Sequence, residues 1–174
     1  MSKAAIKYGL ISGAIVSILL AFSAPYMINN EGSLGTSQLM GYISMMLALV
    51  LIYFGIRERK MKELGGEITF LDALKTGAMI ALICSVIYTI SWMIISGIYP
   101  EVNESIANMY RNEINAKDIN DAQKAVELAE VDEMMQNYQN PIFKFGITML
   151  EILPLGLVVS LISSIILRTK NMND

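Results

Sequence analysis

Apolar residues fall in long unbroken blocks along the chain, with the polar residues gathered between them. A helix rises about 1.5 Å per residue, so crossing a bilayer core of about 30 Å takes roughly 20 apolar residues. Four blocks meet or approach that length, at 8–28, 39–56, 76–99 and 143–167. The first three hold no charge, and the fourth holds only Lys144 and Glu151. The pattern predicts an all-α fold: one membrane domain over 1–174, a bundle of four transmembrane helices.

The segment at 101–140 is different. It carries nine acids against Arg111, Lys117 and Lys124. Its apolar residues recur at Ile106, Met109, Tyr110 and Ile114, and again at Ala122, Val126, Ala129 and Met134. That spacing suits two short amphipathic helices. Pro100 ends the third block and Pro141 opens the fourth, as helix-breaking and first-turn prolines do. The segment reads as a helical excursion that covers one end of the bundle.

Basic residues set an expected orientation. The second and third blocks are joined by a loop with Arg57, Arg59, Lys60 and Lys62. Lys3 and Lys7 precede the first block, and Arg168 and Lys170 follow the last. All of these fall on one side of a four-span arrangement, which the positive-inside rule assigns to the cytoplasm. The excursion is then extracytoplasmic. Tyr8 and Tyr53 sit near the inner boundary and Tyr42 and Tyr99 near the outer, where amphipathic rings are favoured. The first block also has features of a signal peptide, with a basic start and Ala21-Phe22-Ser23 as a small-residue cleavage site. The apolar run continues to Ile28, which favours a retained span.

Small residues recur every fourth position: Gly9, Gly13 and Ser17 in the first span, Gly77, Ala81 and Ser85 in the third, Gly156 and Ser160 in the fourth. Such stripes let helix backbones approach closely. They serve packing within the chain, or contact with a second copy or another membrane protein. Gly65-Gly66 interrupts the chain before the third span, and Thr69 stands three residues before Asp72, a capping-box-like spacing. The third helix is therefore expected to start near Phe70, with Thr69 as its cap.

Composition narrows the chemistry. Charged residues are 17% and hydrophobic ones 54%. There is no histidine and one cysteine, which removes Ser-His-Asp and Cys-His catalysis. A net charge of −3 argues against a nucleic-acid partner. Met134 and Met135 are adjacent and cannot share a helix face as copper ligands. Asp118, Asp121, Asp132 and Glu133 lack the spacing of a calcium loop. No cofactor and no enzyme activity is expected. One residue stands out. Glu151 lies about 12 Å inside the outer end of the fourth span, where an acid is expensive and marks a functional site or a structural hydrogen bond.

The layout resembles the bacterial membrane family called domain of unknown function 4199. The carriers are Gly55-Ile56-Arg57-Glu58, then Gly66-Glu67-Ile68-Thr69-Phe70 followed by Ala73-Leu74-Lys75-Thr76-Gly77, Ile98-Tyr99-Pro100, and Gly156 to Ile162. The resemblance implies four spans and a bacterial inner-membrane home, and it brings no activity with it. The expectation is a non-enzymatic accessory or scaffold protein of the lipid bilayer. The competing expectation is a small oligomeric proton- or solute-coupled transporter.

Reporter fusions test the orientation. Fusions after Lys62 and after Asp174 should read as cytoplasmic, and a fusion near Asp121 as external. An external signal after Lys62 would reverse the assignment, because that loop carries the densest cluster of basic residues.

Overall fold

The computed structural model describes residues 2–29 and 34–169, so Lys170 lies outside the described residues. Six helices follow one another: α1 (Lys3–Asn29), α2 (Leu34–Glu63), α3 (Phe70–Ile98), α4 (Glu101–Ala116), α5 (Asp121–Asn137) and α6 (Pro141–Leu167). Four of them, α1, α2, α3 and α6, are long and apolar enough to cross a membrane. Each extends past its apolar block. Polar flanks such as Arg57 to Glu63 continue the backbone hydrogen bonding of α2, which closes in a π turn over Arg59–Glu63.

The exit from α2 explains the paired glycines. Leu64 donates its N–H to the Arg59 carbonyl (3.1 Å) and Gly66 to the Lys60 carbonyl (2.8 Å). Closing the turn this way sets Gly65 at φ 70° and Gly66 at φ 102°, which side-chain-bearing residues avoid. Thr69 then caps α3. Its hydroxyl oxygen accepts from the Asp72 N–H (3.1 Å) and its hydroxyl donates to the Asp72 carboxylate (2.8 Å).

α3 is the centre of the bundle. It packs against α1 on one side and α6 on the other, and the second half of α2 lies across all three. The small-residue stripes sit in these seams. A Cβ on Gly9 would stand 2.8 Å from the Ile83 Cβ, and one on Gly13 would meet Ile87. Across the other seam, a Cβ on Gly77 would stand 2.8 Å from the Ser160 Cβ, and one on Gly156 2.7 Å from the Ala81 Cβ. The stripes therefore join helices of one chain. Serines in the seams spend their hydroxyls on backbone: Ser85 donates to the Ala81 carbonyl, Ser160 to Gly156, and Ser12 across to Ala48 of α2 (3.0 Å). Ser17 of α1 meets Ser91 of α3 at 2.7 Å.

The outward faces of the four long helices are apolar. Phe22, Leu47, Ile98, Ile142 and Leu150 are each at least 60% exposed. Soluble monomers rarely expose apolar surface on this scale, whereas lipid would cover it. The starts of α1 and α3, the end of α2 and the end of α6 meet at one end, held by ion pairs. Glu58 pairs with Lys7 (2.9 Å) and accepts from the Tyr8 hydroxyl (2.9 Å). Lys60 donates to the Leu167 carbonyl at the end of α6 (2.9 Å), and Arg59 donates to Thr76 and to the Asp72 carbonyl. Thr169 and Ile68 exchange two hydrogen bonds. At the opposite end α4 and α5 form a hairpin around Ala107, Ile114 and Val131, and α4 leans on α1 and α2.

Gly77→Leu should destabilise the bundle by about 1–3 kcal/mol, the usual range for overpacking a tight seam. Gly41→Leu should be nearly neutral, since nothing lies within 4 Å of a Cβ there. Thermal unfolding of both variants in mild detergent reads the difference. Equal melting temperatures would mean that the α3–α6 seam is not close-packed.

Candidate functional site

A cavity of about 440 Å³ lies where the hairpin meets the long helices. Its upper wall is α4 and α5, through Met109, Tyr110, Met134 and Met135. Its floor and sides come from Val16 and Leu20 of α1, Tyr42 and Met45 of α2, Tyr88 and Trp92 of α3, and Glu151 of α6. Tyr88 and Trp92 are four residues apart, so they present one face of α3. Both are 7% exposed.

Hydrogen bonds tie the cavity wall to the hairpin. The Trp92 indole N–H donates to the Tyr138 hydroxyl (3.0 Å), joining α3 to the end of α5. Gln38 of α2 donates to the Tyr110 hydroxyl (3.2 Å). Burial pushes the Tyr138 phenol above its ordinary range. The hydrogen bond from Trp92 opposes that shift, and the negative charge of Glu151 adds to it. Lys144 stands over the Tyr138 ring, 5.1 Å from its centre, and donates to Ser96 (3.3 Å). Lys144 lines a second, smaller cavity of about 300 Å³ and not the first. Asn103 lines both, and its buried side-chain oxygen has no hydrogen-bond partner among the described residues.

The residues singled out in the sequence fall into three places. Gly9, Gly13, Ser17, Gly77, Ala81, Ser85, Gly156 and Ser160 are on the helix seams and do not line the cavity. Thr69 is at the basic end, as the cap of α3. Of the candidate site residues only Glu151 borders the cavity, beside Met134 and Met135, the pair weighed as copper ligands. Its carboxylate makes no hydrogen bond or ion pair among the described residues. The sequence reading missed the aromatic convergence. Tyr42, Tyr88, Trp92, Tyr110 and Tyr138 come from three helices and the turn that follows α5, and meet only through tertiary packing. The four-residue spacing of Tyr88 and Trp92 was its one local signal.

An all-helical chain with four membrane-length helices and a helical hairpin over one end defines a class of small membrane protein. Residues 7–169 match the family described as "Protein of unknown function (DUF4199)", and the chain belongs to that family. No curated protein and no solved structure matches it.

Tyr138→Phe removes the acceptor of the Trp92 N–H. Leaving that buried donor unpaired should cost about 1–3 kcal/mol. It should also shift the emission of Trp92, the chain's single tryptophan. Unchanged emission and melting temperature would mean that the bond does not hold the hairpin to the bundle.

Proposed function

We propose that the chain is a four-pass protein of the bacterial inner membrane, with both termini cytoplasmic and the hairpin outside. It acts without catalysis, as an accessory or scaffold subunit built around one closed-ended cavity. The observation that carries this reading is the layer beneath the cavity. Leu49, Ile52 and Ile56 of α2, Ile80 of α3 and Ile152 of α6 are all 0% exposed. They occupy the helix turns between the cavity and the basic end. A path for protons or solutes would need polar groups or water at that depth. The nearby hydroxyls of Ser12, Ser85 and Ser160 are already donated to backbone carbonyls.

Orientation in this reading rests on the basic loop and on both described chain ends lying beside it, at the end opposite the hairpin. The transporter reading has one observation in its favour. Glu151 borders a cavity without a bonded partner among the described residues, as a coupling acid would.

Cysteine accessibility separates the two. In a Cys84→Ser background, Tyr42→Cys should react with a membrane-impermeant maleimide in spheroplasts and not in inverted vesicles. Lys62→Cys should do the reverse, and Ile80→Cys should react in neither. Labelling of Ile80→Cys, or of Tyr42→Cys from both faces, would replace the accessory reading by the transporter.

A further inference from the structure

The cavity has a chemical character beyond its shape. The chain has eight tyrosines and one tryptophan, and five of these nine side chains line it. Aromatic rings carry negative charge on their faces and attract cations there. Among the described residues, Glu151 is the one carboxylate on the wall, and no lysine or arginine lines it. Lys144 is held on the side of the second cavity by Ser96 and by the ring of Tyr138. Tyr138, which borders both cavities, thus already receives one cation on its ring.

The remaining wall is apolar and adaptable. Val16 and Leu20 contribute branched surface, and Met45, Met109, Met134 and Met135 contribute flexible thioethers that reshape around a guest. A volume of about 440 Å³ is within the range of small-molecule sites. An anion would face both the carboxylate and the ring faces. A neutral apolar guest would cover Glu151 and leave its charge uncompensated, a costly arrangement. A guest with one positive charge on an apolar body satisfies the acid, the rings and the greasy wall together.

We propose that this cavity is a binding site for a lipophilic organic cation: an amine, quaternary ammonium or phosphonium on an apolar body. Glu151 supplies the counter-charge. Tyr42, Tyr88, Trp92 and Tyr110 supply the ring faces, and the methionines fit the apolar part.

The purified full-length protein in mild detergent tests this, because Trp92 reports from within the wall. Tetraphenylphosphonium and tetraphenylborate share shape and size and differ in the sign of their charge. The phosphonium should change Trp92 emission saturably and bind at least tenfold more tightly than the borate. Glu151→Gln should weaken phosphonium binding at least tenfold and leave borate binding the same or stronger. Borate binding equal to or tighter than phosphonium binding would overturn the proposal. So would unchanged phosphonium affinity in a Glu151→Gln protein that elutes and melts like the parent. If Glu151→Gln does not fold, the two ions on the unaltered protein still decide, and Glu151→Asp should keep the preference for the cation.

Discussion

Close contact of helix backbones is the constraint on which the bundle depends. In lipid, apolar side chains gain nothing by leaving the solvent, because the solvent is itself apolar. What remains is dispersion between well-fitted surfaces, and that falls away steeply with a gap of an ångström. α3 meets this demand twice. On one seam Gly9 and Gly13 of α1 receive Ile83 and Ile87; on the other Gly77 and Ala81 meet Ser160 and Gly156 of α6. The two seams differ in kind. The first fits branched side chains into glycine notches, and the second brings small residues against small residues. Because both stripes are used inside the chain, they are not left over for a second copy.

The two ends of the bundle are built by different physics. The basic end is a lattice of charged hydrogen bonds that ties chain segments far apart in sequence: Lys7 to Glu58, Lys60 to Leu167, Arg59 to Thr76. Those contacts order the polar loop that would otherwise be the loosest part of the chain. At the hairpin end, ion pairs such as Arg111–Asp132 and Lys117–Glu127 join α4 to α5, while the bonds that tie the hairpin to the long helices among the described residues run through aromatic hydroxyls and amides, with empty space between them. Rigidity at one end and room at the other is an arrangement in which a guest can be admitted without loosening the helices that hold the acid.

The helices were legible in the sequence because uncharged apolar runs have few alternatives, and the cap at Thr69 was legible because capping is local. Helix ends were less so. Hydropathy stops at Ile56, while backbone hydrogen bonding carries α2 on to Glu63. The two short helices could be read from the sequence, and Met109 and Ile114 are buried as their spacing required, but the buried face of the second could not: Ala122, Val126 and Ala129 are exposed, and Val131, with Leu128 and Met135, packs in the hairpin core instead. The use of the stripes and the position of the cavity were not legible, because they depend on how helices rotate against one another. Glu151 was conspicuous alone, as any acid in an apolar run is. Its aromatic neighbours were not, since Tyr110 and Tyr138 looked like ordinary residues of a polar segment.

The first turn of α1 has a consequence for the order of events during synthesis. The Ala4 N–H donates to the carboxylate of Glu63 (2.7 Å), 59 residues further along. At about 5–20 residues per second, Glu63 is made roughly 3–12 s after Ala4. Over that interval α1 leaves the ribosome with this donor still open to water. The contact closes only when α2 has arrived with its π turn complete. The start of α1 is therefore fastened late, by the far end of its partner.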